Sequence, residues 1–206
     1  MRQKPSALLI DFDGVLRHFD PAVIAVAEER YGLEPGAVTD VAREWPRLEA
    51  AITGRVSHAD WFLGVADALA DRVGGPTMAR NLMVEYGAYR GAVDTEVHAF
   101  VRSARQAGVR VVLATNATDA LDLDLDQFGI AGDFDAVANS SAIGSYKPQK
   151  EYFLAACALV DTPPAQCLLI DDTDRNVRGA RAAGLSALRF SGPADLSYAR
   201  SALSLP

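Results

Sequence analysis

The chain has 206 residues, of which 50% are hydrophobic and 23% charged, a composition that can build a sizeable core and excludes extended disorder. The formal net charge of −7 argues against the clustered Lys and Arg footprint of a nucleic-acid binder, and no apolar run approaches the roughly 20 residues that span a bilayer. The first residues lack the apolar stretch of a signal peptide and only two cysteines occur, so the expected compartment is the cytoplasm, with Cys157 and Cys167 as reduced core residues.

The first element is the apolar run Ala7 to Ile10, read as a strand that ends at Asp11. The stretch from about residue 17 to 91 is too long for a simple crossover to the next strand, so it reads as an inserted domain. Within it Val23, Val26, Ala27 and Tyr31 share one helical face, and Trp61, Phe62, Val65 and Leu69 share another behind a capping box from Ser57 to Asp60. Gly32, Gly54 and the pair Gly74 and Gly75 mark breaks, which predicts an all-helical unit of about four helices. After it, Val97, Phe100, Val101 and Ala104 form the buried face of a helix that stops at Gly108, and Val109 to Ala114 follow as a strand. Phe134 to Ala138 is a third strand. A helix with Tyr152, Phe153, Ala156 and Leu159 on its inner face starts at Pro148 and stops before Pro163 and Pro164. Cys167 to Ile170 and Ser186 to Phe190 complete five strands.

Several of these strands lack strict alternation, as strands covered on both faces do, and helical segments lie between them. The fold class is therefore α/β, a doubly wound, Rossmann-like parallel sheet with an inserted all-helical cap domain. The expected division is a core of residues 1–16 and 92–206 and a cap of residues 17–91.

Four strand ends or loops carry the chemistry. Asp11 and Asp13 leave the first strand at its carboxyl end, where open α/β sheets bind ligands, and Gly14 permits a sharp exit; Asp-Phe-Asp-Gly is also a plain turn sequence. Thr115 and Asn116 end the second strand and can donate hydrogen bonds to a phosphate oxygen or cap a helix. Lys147 sits ahead of Pro148, where a surface role is also open to it. Asp171 and Asp172 end the fourth strand, and their carboxylates suit a hard divalent cation such as Mg2+, although an acidic pair can equally be a solvated loop.

Taken together these segments resemble, in order, the four motifs of the haloacid dehalogenase-like superfamily. The resemblance covers nearly the whole chain: motif one is Asp11 to Val15, motif two centres on Thr115, motif three on Lys147, and motif four on Asp171 and Asp172, followed by Asn176, Val177 and Ala180 to Gly184. It implies a phosphohydrolase acting on a small phosphorylated metabolite, with Asp11 as nucleophile and Asp13 as general acid and base. Mg2+ would be held by Asp11, the Asp13 carbonyl and Asp172, with Asp171 in support. Thr115 and Lys147 would hold the phosphoryl oxygens. Dehalogenases of the superfamily characteristically lack the second aspartate of motif one, which Asp13 supplies here, so a 2-haloacid dehalogenase is the secondary expectation.

Other signals are read as structural. Asp122, Asp124 and Asp126 alternate like a calcium loop, but Gln127 and Asp133 stand where glycine and glutamate are required, so the acids read as the solvated face of a helix. Trp45 and Trp61 read as cap packing ahead of substrate platforms, and Arg17, His18, Arg47 and Arg55 as surface residues, with contact to a substrate from the cap or hinge as their other reading. The three histidines, His18, His58 and His98, show no metal-ligand spacing. A phosphoacceptor receiver domain is disfavoured because its acceptor follows the third strand. A non-catalytic phospho-ligand-binding or scaffold protein stays open, as do the substrate and the choice between monomer and homodimer.

Overall fold

The computed structural model describes residues 4–205. Strand β1 (Ala7–Ile10) runs through the centre of the molecule with all four residues fully buried. After it the chain makes the short strand β2 (Arg17–His18) and enters five helices: α1 (Pro21–Arg30), α2 (Ala37–Ala42), α3 (Arg47–Ile52), α4 (His58–Leu69) and α5 (Pro76–Ala88). It returns through β3 (Ala92–Val93), which pairs antiparallel with β2, so exit and re-entry form one narrow ribbon. From there helix α6 (Thr95–Gln106), β4 (Arg110–Thr115), α7 (Leu121–Phe128), β5 (Ala136–Asn139), α8 (Ser140–Ile143) and α9 (Lys150–Ala158) follow. The last elements are β6 (Cys167–Asp171), α10 (Asp174–Ala182), β7 (Ser186–Arg189) and α11 (Leu196–Leu203).

The five long strands form one parallel sheet in the order β5-β4-β1-β6-β7. Because successive side chains of a strand point to opposite faces, each central strand feeds two cores. Leu8, Ile10, Val111, Leu113, Leu168 and Ile170 face the layer built by Val97, Phe100 and Val101 of α6 and by Leu196 and Leu203 of α11. Ala7, Leu9, Val112, Ala114, Cys167 and Leu169 face Tyr152, Phe153 and Ala156 of α9 and Ala180 of α10. Burial on both sides explains why these runs are continuously apolar, and the expected doubly wound α/β architecture is what forms. Among the described residues no helix is long and apolar enough to cross a membrane, and both cysteines are buried free thiols.

The helical insertion has its own buried cluster, including Val38, Val65, Leu69, Leu82 and Met83. Ser57 caps α4 as expected, its hydroxyl accepting from the Asp60 N–H at 3.0 Å. Helix α1 is rotated from the expected face: Val23 and Val26 are exposed, while Ala27 and Tyr31 meet the cluster and Glu28 is fully buried beside them. Glu28 takes a core position because its carboxylate accepts from the N–H groups of Gly36 and Val38 at 2.6 and 2.8 Å and so satisfies the start of α2. Five helices, where about four are expected from the glycine breaks, result because Gly36 and Pro46 introduce further helix starts at α2 and α3. Helix α9 likewise starts at Lys150 behind an extended Gln149 instead of at Pro148, and Leu159 lies exposed past its end.

Candidate active site

The sheet order decides which residues can meet. β1 lies between β4 and β6, and the chain passes to one side of it for β4 and to the other for β6, so a crevice opens at the carboxyl ends of these strands. Asp11 stands one residue past β1. Its N–H donates to the Ile170 carbonyl at 3.0 Å, which extends the pairing with β6 and fixes the side chain at the rim. Asp11 Oδ1 accepts from the Phe12 N–H at 2.7 Å and lies 2.8 Å from Lys147 Nζ.

Asp171 closes β6 at the same level and is fully buried. Its Oδ2 lies 2.7 Å from Lys147 Nζ, its Oδ1 accepts from the Thr173 N–H at 2.9 Å, and Asn176 Nδ2 donates to both oxygens at 3.0 and 3.2 Å. Asp172 follows, half-buried and packed on the turn after Asp11. A Cβ at Gly14 would collide with the Asp172 carboxylate, and Gly14 also has φ +86°, so this position requires glycine on two counts.

One carboxylate oxygen from each of Asp11, Asp171 and Asp172 lies within 4.8 Å of the others. Burial pushes the Asp11 carboxyl well above its ordinary range; neighbouring Asp171 adds to this and Lys147 opposes it. For Lys147, burial works against the charge, but Asp11 and Asp171 outweigh it and hold the ammonium above its ordinary value. Two of these carboxylates, Asp11 and Asp171, flank one ammonium, Asp172 adds a third oxygen donor to the cluster, and the donors are all hard oxygens, a set that fits a hard divalent cation such as Mg2+ and no soft metal.

Thr115 ends β4, buried, at the same end of the sheet, because the register pairs Ile10 with Leu113. Asn116 turns its side chain to a neighbour loop: its Oδ1 accepts from the Lys147 N–H at 2.8 Å and its Nδ2 donates to the Lys147 carbonyl at 3.0 Å. Both halves of the amide hold the Lys147 main chain. The loop after β4 is pinned in turn by Asn139 and Ser140 at the end of β5. Asn139 Nδ2 donates to the Thr118 carbonyl at 2.8 Å and Ser140 Oγ accepts from the Ala117 N–H at 3.1 Å.

Asp13 stands apart from the three clustered carboxylates. Its Oδ1 accepts from Arg17 Nε at 2.6 Å and its Oδ2 from Arg17 NH2 at 3.0 Å. Arg17 is not the surface residue that the sequence suggests: its side chain is 7% exposed and its NH1 donates to Asp124 Oδ2 at 2.6 Å. Asp124 is likewise buried, while Asp122 and Asp126 are exposed, so the solvated face expected of α7 holds for two of its three acids. Arg90 Nε completes the network by donating to Asp124 Oδ1 at 2.7 Å.

A cavity of about 420 Å3 lies between the helical insertion and this end of the sheet, with Asp13, Arg17, Arg90, Asn116 and Thr118 in its wall. The sequence does not point to Arg90, Asn139 or Ser140, assigns Asp124 to a solvated face, and leaves the function of Asn176 open. Asn176 alone had a legible signal, following the acidic pair in motif four and falling in the first turn of α10; the others become neighbours through the tertiary fold.

Comparisons with known proteins fit this geometry. A phosphoserine phosphatase of Thermus thermophilus is 32% identical over 126 residues, covering 59% of this chain and 51% of that enzyme. A phosphoglycolate phosphatase of Pseudomonas putida is 29% identical over 196 residues, covering 88% of this chain and 67% of that enzyme. The chain therefore spans about half to two-thirds of the length of these relatives. A HAD-family enzyme of Bacteroides thetaiotaomicron, solved in complex with magnesium and inorganic phosphate, superposes with a TM-score of 0.72 at 18% identity, covering 90% of this chain and 93% of that one. An L-2-haloacid dehalogenase of Xanthobacter autotrophicus superposes at 0.65 and 23% identity, covering 97% and 83%; at these identities both structures attest the fold alone. The family model for haloacid dehalogenase-like hydrolases matches residues 5–184, which include every strand end described above except that of β7, and the chain accordingly belongs to the haloacid dehalogenase-like hydrolase family.

Proposed function

We propose that the chain is a phosphohydrolase that cleaves a small phosphate monoester through an aspartyl-phosphate on Asp11, with Mg2+ as its cofactor. The observation that carries this reading is the convergence of Asp11, Asp171 and Asp172, the first two paired with the buried Lys147 ammonium. Phosphatases among the similar proteins support it.

Asp11, Asp172 and the Asp13 carbonyl would hold the ion, which when bound neutralises charge on the phosphoryl group and aligns it with the nucleophile. Lys147 and Thr115 bind phosphoryl oxygens, and Asn116 sets the position of Lys147 through its main chain. Asp171 keeps Lys147 charged and directed at Asp11. An Asp11 oxygen attacks phosphorus as the bond to the leaving oxygen breaks, and Asp13, which enters this step protonated and so keeps one oxygen for Arg17, donates its proton to that leaving oxygen and is left ionised. Asp13 then takes a proton from the water that attacks the acyl phosphate, which releases phosphate and restores Asp11. Arg17 orients Asp13 beside the cavity, where a leaving group would sit. Residues 17–91 act as a cap that excludes water from this chemistry, over a core of residues 1–16 and 92–206.

Loss of a halide needs no proton donor, so the placement of Asp13 on the cavity wall favours phosphate esters over haloacids. The test is turnover of a panel of phosphorylated metabolites by the purified chain with Mg2+, repeated with chelator and with Asp11→Asn. Activity that needs the metal and falls by several orders of magnitude in Asp11→Asn is expected. Near-normal turnover by that variant would remove Asp11 as nucleophile.

A further inference from the structure

The cavity beside Asp13 has a lining that selects among phosphate esters. Phe19, Ile52, Trp61, Phe62, Met83 and Leu121 make much of its wall. Its cations are mostly spoken for: Arg17 is paired with Asp13 and Asp124, and Arg90 with Asp124. Arg43, the remaining arginine of the lining, is exposed to solvent. His58 does not supply the missing charge either, since burial first and Arg90 second push its imidazole below the ordinary value.

A carboxylate on the leaving group would therefore be desolvated largely against apolar and aromatic side chains, near the buried Asp124 carboxylate, and among the described residues of the lining the one arginine without an ion pair, Arg43, lies out at the solvent. An alkyl or aryl body would instead gain by leaving water, and a cavity of about 420 Å3 lies in the size range of sites that enclose ligands of many heavy atoms. We infer that the leaving group is a mainly apolar alcohol of several carbons and not a small hydroxy acid; this rests on the phosphohydrolase reading and names its substrate class. The expected preference departs from the glycolate and serine esters named in the two phosphatase relatives.

The test uses the full chain with Mg2+ and n-alkyl phosphates from ethyl to octyl, whose leaving alcohols are nearly equal in acidity, with phosphoglycolate and O-phosphoserine as comparators. The expected result is a rise of kcat/KM with chain length, up to about fourfold per methylene at full burial, and hexyl phosphate above both comparators. The dissociation constants of n-alkylphosphonates, measured by calorimetry, should fall with a similar slope. Phe62→Asn should flatten both slopes, a ratio internal to one protein sample and so independent of its active fraction; if that variant does not fold, the wild-type slopes decide. A flat series, or preference for phosphoglycolate or phosphoserine, overturns the inference while leaving the phosphohydrolase reading intact. Length-dependent binding of the phosphonates without turnover of any ester overturns the phosphohydrolase reading and keeps the ligand class. Neither turnover nor length-dependent binding overturns both.

Discussion

Arg17 grips Asp13 at two points, Nε to Oδ1 at 2.6 Å and NH2 to Oδ2 at 3.0 Å, while its third nitrogen reaches the buried Asp124. A half-exposed carboxylate two residues past Asp11 is thus tied to a charge network that runs into the core. Arg17→Met should lower turnover of alkyl phosphates about tenfold or more, since an unheld general acid loses its alignment. Activated aryl esters, which need less protonation, should lose less. Asp13→Asn should show the same bias more strongly, and equal losses for both ester types in both variants would dissociate the pair from leaving-group protonation. Arg17→Met should also cost about 3 kcal/mol in urea unfolding, the lower end for a broken buried pair, because Arg90 still faces Asp124.

Among the described residues, Lys147 is the only cation paired with the buried carboxylates Asp11 and Asp171. Lys147→Met keeps the length of the side chain and removes the charge, so Asp11 and Asp171 repel in a dry site. A loss of about 3–5 kcal/mol is expected without divalent metal, and added Mg2+ should recover part of it by binding the folded state. Thermal unfolding with and without Mg2+ checks this. If the variant matches the wild type in both conditions, the pair has no structural weight.

Gly179 lies in α10 against the loop that carries Lys147. A Cβ there would come within 2.6 Å of the Pro148 carbonyl oxygen and side chain. Gly179→Ala should therefore destabilise by about 1–3 kcal/mol through overpacking, despite alanine's better helix propensity. It should also reduce activity, because Pro148 cannot move without Lys147. A variant more stable than the wild type would mean that the loop yields freely.

His58 bridges the insertion to the core, its ring Nδ1 3.0 Å from Thr118 Oγ1 and its backbone N–H donating to Asp119 Oδ1 at 2.7 Å. Burial and then Arg90 lower its pKa from 6.5, with Asp119 and Asp124 pulling the other way. The folded state thus binds its proton less readily than the unfolded chain. Stability contributed by neutral His58 is complete above about 6.5 and declines as pH falls from there through the lowered folded value. The wild type should lose stability relative to His58→Gln over that window. Parallel curves in urea titrations from about pH 7.5 to 5 would exclude this coupling.

The strands of the sheet and the ends from which Asp11, Thr115, Asp171 and Asp172 emerge were legible in the sequence because burial on both faces writes continuous apolar runs, and the chemistry sits where those runs stop. The helical nature of the insertion was legible from its spacing, but the face of α1 was not, since a glutamate took a core position to satisfy the N–H groups of another helix. The fold alone decided that Arg17, Asp124 and Arg90 share one network, that Asn116 serves the Lys147 main chain, and that apolar side chains make much of the cavity wall while Arg17 and Arg90 there are paired. Hydrophobic periodicity records how each residue faces its own element. Charge pairing between residues as distant along the chain as Arg17 and Asp124 depends on which elements meet, and that is settled only when the chain has packed.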